Sequence, residues 1–199
     1  MLLNILLGVL GVILFLFVFW KRLNEDYSSD IIFQSGVSVL LGLTVGLTFS
    51  ILFFPEWFFW ISLLGSLVGM TLMILKFKLR FYESLEALIF GAMPLVSLMF
   101  FKNSITNSSL NSFLAFVASL VLIFLAYWLD VNYKSFTWYK SGRIGFAGLF
   151  IAATFFLVRT VVAFFRITMI SFVSNFEGIL SGAVTLICIG LLVNLSRKQ

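Results

Sequence analysis

The chain has 199 residues, of which 62% are hydrophobic and only 11% are charged, with a formal net charge of +5. Because soluble domains carry about 25% charged residues, this composition excludes a water-soluble core and predicts an integral membrane protein. No hydrophilic block is long enough for a second, soluble domain, so we predict one all-α transmembrane domain over residues 1–199 and no nucleic-acid partner.

Apolar segments of the length that crosses a bilayer, about 20 residues, follow one another along the chain. Seven are predicted, at residues 2–20, 31–54, 57–75, 83–101, 112–129, 144–165 and 176–195. The first is not read as a signal peptide, because no basic residue precedes it and no small-residue cleavage site follows it. The fourth contains Pro94, which predicts a kink. The sequence therefore predicts a polytopic protein of about seven transmembrane helices.

The distribution of basic residues predicts the orientation of these spans through the positive-inside rule. Ten basic residues fall on one side of the membrane: Lys21, Arg22, Lys76, Lys78, Arg80, Lys134, Lys140, Arg143, Arg197 and Lys198. Only Lys102 and Arg166 fall on the other side. We therefore predict an amino terminus outside the cell and a carboxyl terminus in the cytoplasm.

Groups that commonly carry chemistry are scarce in this chain. There is no histidine, so the commonest general base and the commonest metal ligand are both missing. The single cysteine, Cys188, lies in an apolar run, where a small buried hydrophobic side chain is the expected role. We therefore predict no metal site and no cofactor.

Arg159 stands in the middle of the sixth span, in the stretch FFLVRTVVAFF. An arginine at a helix centre costs about 2.5 to 3.5 kcal/mol on insertion scales, so such residues pair, line a cavity or serve a function. Arg166 follows on the same helix face, about 10 Å further along the axis. Together the two form a candidate cationic track that descends from the outer leaflet.

Three counterparts are open for the Arg159 guanidinium. It can snorkel toward the interface, which requires no function. It can form an ion pair with Glu177, since Glu177 and Glu56 are the only acids predicted on the outer side. It can also bind a phospholipid phosphate, because the guanidinium fork matches phosphate geometry.

Small residues recur at a spacing of four in the second and third spans. Gly42 and Gly46 form one such pair, and Gly65 and Gly69 form another. This spacing places both glycines of a pair on one helix face and permits close contact between helix backbones in lipid. The pattern predicts helix packing and carries little information about function.

Four stretches of the chain carry a resemblance to a known family: WKRLNEDYSSD after the first span, SLLGSLVGM in the third, two acids at the start of the fourth, and YKSGRIGFAGLFIAATFFLVRTVVAFFR around the sixth. Together they resemble the bacterial prolipoprotein diacylglyceryl transferases. Members of that family transfer the diacylglyceryl group of phosphatidylglycerol to the thiol of a lipobox cysteine in a secreted precursor. The resemblance covers nearly the whole chain and implies a multi-pass protein of the bacterial inner membrane, active at its outer face.

The sixth span carries the most specific part of this resemblance. The stretch LVRTVVAFFR keeps a functionally important arginine of the family as Arg159, and it keeps the ending as Phe164, Phe165 and Arg166. The glutamate of that ending has become Ala163. The resemblance therefore implies that Arg159 is the catalytic residue, stabilising the phosphate leaving group, and that Arg159 and Arg166 bind substrate.

Other parts of the family pattern are kept only in fragments. Gly65 and Gly69 match a segment that contains His-Gly-Gly, and Asn103 is what is left of the signature Gly-Arg-x-Gly-Asn-Phe-x-Asn. The resemblance implies substrate binding by these three residues. Leu64 replaces the histidine, and Asn111 and Ser112 replace a Tyr-Glu pair.

Three functions follow as hypotheses. The first is a divergent diacylglyceryl transferase that uses phosphatidylglycerol. The second is a non-catalytic scaffold that binds lipid or the signal segment of a prolipoprotein. The third is a small transporter of an anion or another solute, or an assembly subunit. A general base is worth roughly 10² to 10⁴ in rate, so the missing histidine bears directly on the first.

Overall fold

The computed structural model describes residues 2–135, 144–165 and 176–197. Within these ranges the chain is all helical, with seven helices: α1 Leu2–Leu23, α2 Ser29–Phe53, α3 Phe58–Phe77, α4 Phe81–Asn107, α5 Leu110–Val131, α6 Phe146–Phe165 and α7 Phe176–Arg197. Each is long and apolar enough to cross a membrane. The predicted helical class and the seven spans are therefore confirmed, whereas the orientation of the termini stays a prediction.

These segments form helices because a helix satisfies its backbone N–H and C=O groups internally, which lipid cannot do. The predicted bounds differ most at the end of α4, which continues to Asn107 instead of stopping at residue 101. Its last turns are polar, and Asn107 Nδ2 donates to Asn103 Oδ1 at 2.6 Å. This bond between residues four apart supports the extra turns of helix.

The helices group into two compact units, Met1–Leu95 and Val96–Gln199. The division falls within α4, directly after Pro94 and Leu95. Pro94 does not end this helix, which runs on to Asn107. The expectation of a single transmembrane domain stays a prediction.

In the first unit, α2 and α3 are in backbone contact through their glycines. A Cβ added to Gly42 would lie 2.2 Å from the carbonyl oxygen of Gly65, and a Cβ added to Gly65 would lie 2.2 Å from that of Gly42. A Cβ added to Gly46 would lie 2.6 Å from the carbonyl oxygen of Ile61, and a Cβ added to Gly69 would lie 2.5 Å from that of Ser38. The close contact predicted from the glycine spacing is confirmed.

The hydrophobic core of the first unit lies beside this contact. Its buried members are Phe15, Phe19, Leu23, Ile32, Val39, Met70, Ala87 and Leu88. Phe15 and Phe19 stack with their ring centroids 5.5 Å apart. The absence of a side chain at Gly91 of α4 leaves room for the Phe15 ring, because a Cβ added to Gly91 would lie 2.9 Å from that ring. Large side chains thus fill the space between α1 and α4.

A polar cluster ties the end of α1 to the start of α4. Arg22 Nη2 lies 2.8 Å from Glu86 Oε1, and Tyr27 Oη donates to Glu83 Oε2 at 2.7 Å. The backbone N–H of Arg80 donates to Tyr27 Oη at 3.0 Å, and burial is the main cause that raises the pKa of this phenol. These contacts place the end of α1 and the start of α4 at the same membrane surface.

We expect Tyr27→Phe to lower the free energy of unfolding by about 1 kcal/mol, because Glu83 and the Arg80 N–H lose a hydrogen-bond partner. Since the folded-state pKa of Tyr27 is raised above its usual value, its contribution is fully present below pH 10 and is lost as the pH rises through the folded-state value. Denaturant titration in mixed micelles measures the change. Tyr127→Phe is the matched control, since Tyr127 is 68% exposed. Equal stability of the two variants would contradict the prediction.

In the second unit, hydroxyl contacts join α4 to α5, and α7 packs along α6. Ser119 Oγ donates to Ser97 Oγ at 3.0 Å, and both side chains are buried. Hydrogen bonds between helices are a usual means of association in lipid, where no hydrophobic force drives helices together. The α6–α7 contact positions the buried arginine.

Candidate functional site

Arg159 lies on α6 and is only 4% exposed. Its Nη2 lies 2.5 Å from Glu177 Oε2, and its Nε donates to Ser181 Oγ at 3.1 Å. Glu177 is 3% exposed and Ser181 is fully buried. We call Arg159, Glu177 and Ser181 the arginine cluster. It is an intramembrane ion pair with an added hydroxyl acceptor.

The local sequence of α7 brings both partners to one guanidinium. Glu177 and Ser181 are four residues apart and therefore share a helix face. Gly178 lets this face approach α6, because an added Cβ would lie 3.0 Å from the Phe164 ring and 3.5 Å from Ala163 Cβ. A larger side chain at position 178 would have to displace the Phe164 ring. The glycine thus supports the short distance within the ion pair.

Of the three counterparts open to Arg159, the ion pair with Glu177 is the one found. A lone buried charge is expensive, and a partner of opposite sign with additional hydrogen bonds offsets that cost. Snorkelling is not observed, since the guanidinium is buried beside α7. The phospholipid alternative has no support in this geometry, because the donors Nη2 and Nε of Arg159 both contact protein.

Asn103, which the resemblance matches to the family signature, lies in a second polar group between α4 and α5. Its Nδ2 donates to Ser112 Oγ at 2.5 Å, and the Asn103 side chain is buried. Ser109 caps the start of α5 by accepting from the backbone N–H of Ser112 at 3.4 Å. The structure thus brings Asn103 together with Ser112, one of the two residues that the resemblance matches to the family's Tyr-Glu pair. Sequence reasoning did not predict this contact.

Gly65 and Gly69 lie in the α2–α3 contact, where each approaches a backbone carbonyl. This environment accounts for both glycines by helix packing. Leu64, which the resemblance matches to the family's histidine, is 60% exposed. The substrate-binding role that the resemblance implies for Gly65 and Gly69 stays a prediction.

Two further predictions concern Arg166 and metal binding. Arg166 lies outside the described residues. Across 2–135, 144–165 and 176–197, no group of three or more Cys, Asp or Glu side chains is placed to hold a metal ion. Cys188 is a free, buried thiol.

The arginine cluster could have been anticipated only in part from sequence. Glu177 is one of the three predicted counterparts of the Arg159 guanidinium, but the sequence does not identify Ser181 as a second partner. The available signal was the spacing of four between these polar residues in an otherwise apolar span. Such a spacing indicates a polar helix face without saying which neighbouring helix that face contacts.

Comparison with known proteins adds no relative to this description. A scan against protein-family models, a search of curated proteins and a search of solved structures each found no match. Membership of the diacylglyceryl transferase family therefore stays a hypothesis that depends on the resemblance in sequence. The geometry of the arginine cluster is the structural observation that bears on function.

Proposed function

We propose that this protein is a non-catalytic membrane scaffold of the diacylglyceryl transferase type, which binds lipid or the signal segment of a lipoprotein precursor. The observation that supports this proposal is the ion pair between Arg159 and Glu177, 2.5 Å apart in the buried interface of α6 and α7. A cation that is neutralised by its own protein supports helix packing rather than catalysis. The natural setting of such a scaffold is the bacterial inner membrane.

The demands of the transfer reaction favour this choice. Displacing glycerol phosphate requires donors directed at the phosphate leaving group, where they stabilise developing charge. In the arginine cluster, Nη2 and Nε of Arg159 are directed at Glu177 and Ser181 instead. The cluster therefore has the geometry of a helix-to-helix bond.

The acceptor thiol must also be activated for the transfer to proceed. A general base contributes roughly 10² to 10⁴ in rate, and the chain has no histidine to supply it. The Glu177 carboxylate is engaged by a guanidinium at 2.5 Å. A scaffold has no need of a base, and this favours binding without turnover.

Reconstituted proteoliposomes test the proposal with phosphatidylglycerol labelled in its acyl chains and a membrane-inserted lipobox peptide. We expect the peptide to bind in saturable fashion and to acquire no labelled diacylglyceryl group. The double variant Arg159→Met/Glu177→Met removes the ion pair as a unit and should bind the peptide as the natural sequence does. Label transfer to the peptide thiol that disappears in this variant would contradict the proposal, and an absence of saturable binding would remove the signal segment as the ligand.

Diacylglyceryl transfer itself is a second candidate function, which the contact between Asn103 and Ser112 favours. Both residues stand at positions that the resemblance matches to functional positions of the family, and their side chains are hydrogen-bonded at 2.5 Å. In the same assay, this alternative requires label transfer that Asn103→Ala abolishes. Transfer unaffected by Asn103→Ala would remove the alternative.

A further inference from the structure

The connection between α3 and α4 carries basic side chains that the proposed function does not use. We call Lys76, Lys78 and Arg80 the basic connection. α3 ends at Phe77 and α4 begins at Phe81, and both helices are long and apolar enough to span a membrane. The basic connection therefore lies at the edge of the hydrocarbon core, at the depth of the lipid headgroups.

The backbone presents these basic side chains outward. Lys78 adopts a left-handed conformation with φ of 54°, which ends α3. Leu79 is 6% exposed and anchors the connection in the protein, whereas Lys78 and Arg80 on either side of it are exposed. Lys76 is held nearby, with Nζ 4.8 Å from the centroid of the Phe77 ring. A buried leucine thus fixes a segment with cations on its outer surface.

Arg80 is anchored on one side and open on the other. Its Nη1 donates to Glu83 Oε1 at 2.9 Å, yet its side chain is 71% exposed. A guanidinium carries five N–H donors in a planar fork, so Nε and Nη2 still have donors to offer a ligand. This fork matches the spacing of two phosphate oxygens. The contact with Glu83 orients the fork before any ligand binds.

We propose that the basic connection binds the phosphate of an anionic phospholipid, with Arg80 bonding the phosphate oxygens and the two lysines supplying additional positive charge. Phosphates are the anions present at headgroup depth, and basic residues at that depth attract anionic lipids. A zwitterionic lipid binds less well because its own cation opposes the lysines. Glu83, which accepts from Arg80 Nη1 at 2.9 Å, is the main opposing charge on the protein side, and Asp26 adds a weaker electrostatic interaction with Arg80.

The test is the thermal stability of the full chain in detergent, titrated with phosphatidylglycerol, phosphatidylcholine, glycerol phosphate or inorganic phosphate. We expect phosphatidylglycerol to raise the midpoint of unfolding and the other three to have little effect. Each neutralisation, such as Lys78→Gln, should weaken the apparent affinity about fivefold, which corresponds to about 1 kcal/mol. Asp26→Asn should strengthen it by a factor of about two to five, through the same charge effect.

Matched variants separate this site from general charge. The triple variant Lys76→Gln/Lys78→Gln/Arg80→Gln should lose the response to phosphatidylglycerol. The control Lys102→Gln/Lys134→Gln/Arg197→Gln has the same change in net charge and should keep it. The double variant Lys76→Gln/Lys78→Gln leaves the contact of Arg80 with Glu83 intact, so it gives a readout even where the triple variant does not fold.

Three results would overturn the proposal. They are equal stabilisation by phosphatidylglycerol and phosphatidylcholine, equal stabilisation by inorganic phosphate, and an undiminished response of the double variant. The second would assign the basic connection to a free phosphate instead of a lipid. None of these results depends on peptide binding or on label transfer, so a failure of this lipid site is distinguishable from a failure of signal-segment binding; the site deepens the lipid-binding part of the proposed function.

Discussion

Arg159→Met is expected to lower the free energy of unfolding by about 3 to 5 kcal/mol, because it leaves the Glu177 carboxylate buried without its counter-charge. Methionine keeps the unbranched, flexible stem of the side chain and removes the charged head, so the loss reports mainly the missing guanidinium. Ser181 also loses the donor on Nε. Denaturant titration in mixed micelles measures this free energy. The individual helices stay folded in detergent, so the transition reports the loss of contacts between them.

Lys102→Met is the control for this variant. It also removes one positive charge from a helix, but Lys102 is exposed, so we expect a change within about 0.5 kcal/mol, as for other surface substitutions. Equal stability of the two variants would show that the Arg159 guanidinium gains nothing from its contacts on α7. That result would favour a snorkelled head.

Gly65→Ala is expected to lower the free energy of unfolding by about 1 to 3 kcal/mol, because the added methyl group overpacks a close contact. The new Cβ would lie 2.2 Å from the Gly42 carbonyl oxygen, and a backbone atom cannot rotate away as a side chain does. α2 and α3 must therefore separate. Gly65→Leu should have a larger effect and should prevent the two helices from associating.

Gly190→Ala is the matched control for the glycine variant. Gly190 lies inside α7, and an added Cβ there would meet no atom within 4 Å. Alanine is a better helix former than glycine by up to about 1 kcal/mol, so this variant should be as stable as the natural sequence or slightly more so. If Gly65→Ala behaved like Gly190→Ala, the backbone contact between α2 and α3 would be contradicted.

Hydropathy predicted the helical class and the seven spans because both follow from one local property. A run of about 20 apolar residues has few stable alternatives to a transmembrane helix. The close approach of α2 and α3 was also predictable, since the pairs Gly42 with Gly46 and Gly65 with Gly69 each mark one helix face. The end of α4 was not predictable, because the polar sequence KNSITN is typical of a loop. The hydrogen bond between Asn107 and Asn103 that supports the last helical turns is visible only in the structure.

The arrangement of the candidate site lay beyond the sequence because it depends on which helices are neighbours. Arg159 was recognisable as a buried charge, but its counterpart was decided by the packing of α6 on α7. A glutamate at position 163 would lie four residues after Arg159 on the same helix face. This chain has Ala163 there, and Glu177 supplies a carboxylate from α7 instead. The pairing of two residues across neighbouring helices leaves no local pattern in the sequence.

The most direct test of the neutralised arginine is a double-mutant cycle with Arg159→Met, Glu177→Met and the two combined. If Glu177 is the counter-charge, each single variant loses several kcal/mol, and the combined variant recovers most of that loss, because replacing both members of a buried pair is often nearly neutral. A coupling energy near zero, with the two losses simply adding, would mean that the guanidinium and the carboxylate do not interact. Glu177 would then not be the counter-charge of Arg159.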